Sequence, residues 1–147
     1  MMKEIAIQLL AASLSGLGFA LLFGLQLRHT FFAALGSLLA WAVYLAVHSA
    51  VPSVFITNLC ASAFAVSYSE VLARLRKCPA TLFLVPTIIP LVPGSSLYYA
   101  MENAVNGDYE TARAFGHKTL ICALAIAAGI SLVTAYRDIR TRATENR

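Results

Sequence analysis

The stretch that decides the fold is Thr30–Ser69, TFFAALGSLLAWAVYLAVHSAVPSVFITNLCASAFAVSYS. It holds 40 residues without one Asp, Glu, Lys or Arg. A bilayer core about 30 Å thick needs roughly 20 helical residues to cross. The stretch is therefore long enough for two crossings. Pro52 divides it, because proline lacks an amide donor and disfavours helix in the residue before it. We read helices over about 30–51 and 54–75.

Three more uncharged windows flank it: Ile5–Leu27 (23 residues), Cys78–Met101 (24) and Thr119–Tyr136 (18). The 147-residue chain is 59% apolar and only 12% charged, with mean hydropathy +0.74. An ordinary soluble domain is about 25% charged. These values exclude a soluble domain, a disordered chain and a coiled coil. The first window exceeds the roughly 7–15 apolar residues of a signal peptide, so it reads as a retained helix over 5–27. The fold expected is all-α: one polytopic transmembrane domain over residues 1–147, with about five crossings.

The Cys78–Met101 window, CPATLFLVPTIIPLVPGSSLYYAM, differs from the others. It contains four of the five prolines: Pro79, Pro86, Pro90 and Pro93. So many missing donors break a helix, yet the segment is too apolar for an exposed loop. Irregular backbone at membrane depth is tolerated only where protein covers it or water lines it. We expect a helix over 79–105 broken near 90–94. A polar connection from Glu102 to Lys118 should follow, with a turn at Asn106-Gly107-Asp108. A last helix over 119–136 and a polar tail over 137–147 complete the chain. Small residues at four-residue spacing, Ala12/Gly16/Ala20/Gly24 and Ala123/Ala127/Ser131/Ala135, suggest helix-packing stripes.

Cytoplasmic loops carry excess Lys and Arg. With five crossings and the N-terminus outside, eight basic residues fall inside and three outside. A re-entrant proline segment gives a split of six to five. The first arrangement, N-out and C-in, is preferred. The net charge of +4 then reflects topology, and no nucleic-acid partner is expected.

No HExxH, GxSxG or phosphate loop is present. The histidines His29, His48 and His117 are isolated, and Cys60, Cys78 and Cys122 form no CxxC pair. We expect no enzyme activity, no catalytic residue, no metal site and no cofactor. Polar groups inside a membrane are costly and mark function. The candidates are Asn58, Ser62, Ser95, Ser96 and Tyr98, with Pro90, Pro93 and Gly94 forming the break. The half-helix after Gly94 would begin with unpaired amides and a positive dipole end. Broken helices in transporters hold substrate carboxylates this way. Ser95 or Ser96 could instead simply cap the helix. Glu70 and Arg74 have the i,i+4 spacing of an ion pair.

The string IIPLVPGSSLYYAMENAV (Ile88–Val105) resembles the threonine/serine exporter family, through Pro90, Pro93, Gly94, Tyr98 and Met101. Gly18–Trp41, GFALLFGLQLRHTFFAALGSLLAW, and Pro79 fit as well. The likeness runs from about Gly16 to Tyr136. It is to the small, C-terminal-half subunit of split, two-gene exporters. It implies export of threonine, serine or small dicarboxylates across a bacterial inner membrane. It also implies a larger, first-half partner subunit, with membrane lipid around both. Association with further copies of itself stays open. No Asp or Glu lies deep in any window, so the partner is expected to carry the coupling residue. A non-transporting membrane scaffold is the competing reading.

Overall fold

The computed structural model describes residues 2–145, and their secondary structure is helical. Helix α1 spans Met2–Leu22, α2 Leu27–Ala50 and α3 Val54–Arg76. Helix α4 covers Thr81–Ile88, followed by a single 3-10 turn, Ile89–Leu91. Helix α5 covers Gly94–Val105 and α6 Tyr109–Glu145. Four helices are each long and apolar enough to cross a membrane, and the pair Thr81–Leu91 and Gly94–Val105, bent by 51°, supplies a fifth segment. This is an all-α polytopic membrane protein.

Its interior is built from small residues. Ala12, Ala20, Ala33, Ala34, Ala40, Ala61, Ala65 and Ala125 are buried, while Leu10, Leu14, Leu22, Phe31, Leu120, Leu124 and Leu132 face outward. Water would penalise that distribution, but lipid does not. Helices in lipid associate by close packing of small residues, with large apolar side chains left to the acyl chains. Several buried hydroxyls donate to the carbonyl four residues back along the chain. Thr57 Oγ1 donates to the Ser53 carbonyl at 2.7 Å and Ser69 Oγ to the Ala65 carbonyl at 2.7 Å.

Side-chain pairings establish how the helices run. A Cβ added to Gly129 of α6 would meet Ser62 and the Leu59 carbonyl of α3, and eight residues further along both helices Arg137 bonds Glu70. So α3 and α6 are parallel. His29 rings against Phe83, and Ser37 bonds the Pro86 carbonyl, so α2 and α4 are parallel too. Leu91 meets Cys122 and Tyr99 meets Phe115, so α5 is antiparallel to α6. With α3 and α6 parallel, the chain between them must return along the bundle, and α4 with α5 does so. A bent crossing of the proline segment fits these pairings better than a re-entrant loop. Accordingly, single cysteines at Ser53 and Arg142 should react with a membrane-impermeant thiol reagent from opposite sides. Reaction from one side would contradict the parallel pairing.

Several boundaries differ from expectation. Helix α1 ends at Leu22 rather than near Leu27. Gly24 takes φ +68°, with the Leu25 amide reaching the Ala20 carbonyl at 3.0 Å and the Gly24 amide reaching Leu21 at 2.9 Å. That is a Schellman termination, which wants a glycine in the left-handed region. Gly24 therefore stops the helix instead of extending the packing stripe, while Ala12, Gly16 and Ala20 do face inward.

The expected polar connection is mostly helix. Only Asn106–Asp108 separate α5 from α6. Gly107 turns at φ +82°, and Asp108 caps α6 by accepting from the Thr111 amide at 3.1 Å. The hydrogen bonds from Thr111, side chain first, hold the Asp108 carboxyl below the usual carboxylate range. Polarity does not imply irregularity here, because a capped polar helix needs no membrane. Helix α6 has 37 residues, about 55 Å at 1.5 Å per residue, so it projects past a bilayer core. The tail is helical to Glu145; positions 146–147 lie outside the described residues.

The second stripe also differs. Ala123, Ala127, Ser131 and Ala135 face outward, and the inward face of α6 carries Cys122, Ala125 and Gly129. Small residues on every face of α6 made the stripe ambiguous by one position.

Candidate functional site

The proline segment breaks where local chemistry requires, and neighbouring helices repair it. Pro90 has no amide to offer the carbonyl of Pro86. Ser37 Oγ of α2 approaches that carbonyl at 2.9 Å while also lying 3.0 Å from the Ala33 carbonyl of its own helix. The Ile89 carbonyl accepts from the Val92 amide at 3.1 Å. The Leu91 carbonyl receives Cys122 Sγ at 3.7 Å. Broken backbone is thus kept inside protein, as a membrane demands.

Beside the break lies a cavity of about 190 Å³. The 3-10 turn and the start of α5 supply Pro90, Pro93, Ser95 and Ser96; α3 supplies Asn58; α6 supplies Lys118. Trp41 and Tyr44 of α2 close one wall. Their rings stack at 4.7 Å, and Tyr44 stacks on His48 at 5.9 Å. This aromatic ladder runs towards the end of α2. Trp41 is further held by Gln8, whose Oε1 accepts from the indole N–H at 3.4 Å.

Five of the eight residues anticipated from sequence therefore share one cavity. No side chain caps α5, and its N-cap position is Pro93. Ser96 is 8% exposed and makes no side-chain hydrogen bond to the described residues. Of the first four amides of α5, Gly94 donates to the Val92 carbonyl at 2.8 Å and Leu97 to the Pro93 carbonyl at 3.0 Å, which leaves those of Ser95 and Ser96 without an acceptor in the helix. Asn58 Nδ2 donates to the Val54 carbonyl at 2.8 Å. Asn58 thus satisfies a donor on its own helix, while its side-chain oxygen receives nothing from the described residues.

Three anticipated residues lie elsewhere. Ser62 bonds the Leu59 carbonyl at 3.1 Å and packs on Gly129. Tyr98 faces outward against Tyr99. Gly94 adjoins the cavity without lining it. Its φ is not positive, and a Cβ there would meet nothing within 4 Å. Neither left-handed backbone nor a tight approach within this chain explains it. Sequence alone does not single out Lys118, which reads there as a loop charge. Its position immediately before the Thr119–Tyr136 window, facing a broken helix, was the available signal.

Glu70 does not pair with Arg74. Its Oε1 lies 2.9 Å from Arg137 Nη1, and its side chain is only 13% exposed. The pair ties α3 to α6 at the end of the bundle opposite Lys118. Glu70 is shielded, but Arg137 is 38% exposed and also holds Asp138, so the bridge contributes modestly. Glu70→Gln should therefore lower the amount of folded chain by a few-fold, measured by detergent-solubilised fluorescence gel filtration. Full accumulation would show that the bridge is only an exposed contact.

A family profile described as Threonine/Serine exporter, ThrE, matches residues 8–136. The chain belongs to this family, a class of membrane transporters. No curated protein and no solved structure gives a match.

Proposed function

We propose that this chain is one subunit of a secondary exporter for small carboxylate-bearing metabolites, threonine and serine or small dicarboxylates, in a bacterial inner membrane. The observation that carries the proposal is the meeting of Lys118, Asn58, Ser95 and Ser96 in one cavity, with the Ser95 and Ser96 amides at the start of α5. A carboxylate there would accept from two α5 amides, lie at the positive end of the helix dipole and pair with the Lys118 ammonium. Ser96 Oγ–H would donate to the same group. The side-chain oxygen of Asn58 would accept from a substrate ammonium or hydroxyl.

The end bearing Arg74, Arg76, Lys77, Arg137 and Arg140 is the cytoplasmic one by charge. The cavity then lies nearer the outer side. A first-half partner subunit completes the exit path and supplies the proton-coupling carboxylate. The outward stripe of Ala123, Ala127, Ser131 and Ala135 is a face against which a partner helix can pack closely.

The test is efflux from cells carrying this chain alone, with the first-half subunit, and with Gly94→Leu in the pair. The open space at Gly94 lets the variant insert and assemble. The leucine would project beside the cavity and lower export several-fold. A scaffold has no use for an open site at the break, so unchanged export with Gly94→Leu would favour that reading.

A further inference from the structure

Trp41 and Pro90 each line two cavities. On one side is the Lys118 cavity of about 190 Å³. On the other is a groove of about 250 Å³ between α1 and α2, to which α1 contributes Gln8, Ala11, Ala12 and Ser15. The two shared side chains divide one space from the other. Pro90 is a short, rigid ring in the 3-10 turn, so the bulk of the partition is the indole of Trp41. That indole stacks on Tyr44 at 4.7 Å with 11° between the ring planes, and its N–H donates to Gln8 Oε1 at 3.4 Å. The stack is the stronger hold, because a hydrogen bond of that length is weak.

The two spaces differ in chemistry. Lys118, Asn58, Ser95 and Ser96 give the first cavity its polar groups. Among the described residues, no charged side chain lines the second. Ser15 Oγ donates to the Ala12 carbonyl at 2.8 Å, and the Gln8 oxygen is taken by the indole. The alanine methyls and the two rings that remain have nothing to offer a carboxylate or an ammonium, and they suit an apolar side chain. Pockets for drug-sized ligands measure about 300–1,000 Å³. The Lys118 cavity is smaller than that, so it holds a compact metabolite while the indole stands.

We propose that Trp41 is the specificity-determining residue of the exporter: the Lys118 cavity takes the carboxylate, and the indole denies the rest of the substrate the apolar groove beside α1. A carboxylate bearing a large apolar group is excluded by the ring and not by a repulsive charge. Without the ring the two spaces join, and such a group enters the groove while its carboxylate keeps the same partners. The inference rests on the carboxylate-binding reading of the Lys118 cavity and adds its selectivity. One methylene in an apolar pocket changes discrimination by about 10–200-fold, so removal of the wall has a large expected effect.

The test uses the assembled pair, purified in detergent, with a single cysteine at Ser95 and Cys60, Cys78 and Cys122 replaced. Modification by a small hydrophilic thiol reagent is followed against the concentration of threonine, phenylalanine, succinate or benzylsuccinate. In the parent chain the small carboxylate should protect the cysteine and its aromatic counterpart should not. Trp41→Ala should shift the preference at least tenfold towards the aromatic counterpart. Trp41→Leu, which keeps an apolar side chain in place, should shift it the same way by a smaller factor, and it carries the test where the alanine chain assembles poorly. Trp41→Phe, which keeps a ring, should keep the preference for the small carboxylate. Ala11 is exposed, so Ala11→Phe refills the groove without disturbing the interior. Added to Trp41→Ala, it should return the preference towards that of the parent. Protection by the small carboxylate alone in every variant would overturn the proposal and leave the carboxylate site standing. Equal protection by small and aromatic carboxylates in the parent would overturn it as well. No protection by any carboxylate, in parent or variants, would overturn both readings.

Discussion

A Lys118→Met chain should reach the membrane at the normal level and lose most of its export. A hydrogen bond to a charged group contributes about 1.5–3 kcal/mol, and each 1.4 kcal/mol is tenfold in affinity. Loss of one ammonium–carboxylate contact therefore predicts a drop of about tenfold to a hundredfold in export at low substrate. Lys118 is exposed, so its removal leaves no buried group unpaired and should spare assembly. Lys118→Arg, which keeps the charge on a longer and planar group, should retain part of the activity. The measurement is initial efflux rate against internal substrate concentration in cells carrying the full pair. Wild-type efflux from Lys118→Met would remove the carboxylate anchor from the mechanism.

The second large effect concerns Gly129. A Cβ there would stand 2.7 Å from the Leu59 carbonyl oxygen and collide with Ser62 Oγ. The serine could rotate, but the carbonyl is helix backbone and cannot. Overpacking a close interface costs about 1–3 kcal/mol, and more where the neighbour is rigid. Gly129→Leu should separate α3 from α6, break the Glu70–Arg137 contact and leave little folded chain in the membrane. Gly18→Leu is the control, since a Cβ at Gly18 meets nothing within 4 Å. The readout is monodisperse protein by gel filtration in detergent. Equal yields for the two variants would mean that the α3–α6 seam does not hold the bundle together.

Much of the architecture was legible because its signals are local. Uncharged windows report membrane spans through composition alone, and prolines act on their own backbone. Hence the segment with four prolines is two helices, Thr81–Ile88 and Gly94–Val105, joined by the turn at Ile89–Leu91. Side-chain direction is not local. Whether Ala123 or Cys122 faces inward depends on which neighbour α6 meets, and small residues on both faces leave no contrast in the sequence. The same limit explains Glu70. Arg74 is four residues away, but Arg137, 67 residues away, is brought against it by the parallel packing. Lys118 escaped notice because a charge at a window edge reads as topology until the opposite wall of the cavity is known.

The central claim is that the cavity beside the broken helix binds a substrate carboxylate. Its most direct test places a single cysteine at Ser95, with Cys60, Cys78 and Cys122 replaced, in the assembled pair. The rate of modification by a small hydrophilic thiol reagent is measured with threonine, succinate or threonine amide present. The account predicts that the transported carboxylate slows modification several-fold and that the amide, which lacks the anionic group, does not. Equal rates with every additive, or equal protection by threonine and its amide, would contradict it.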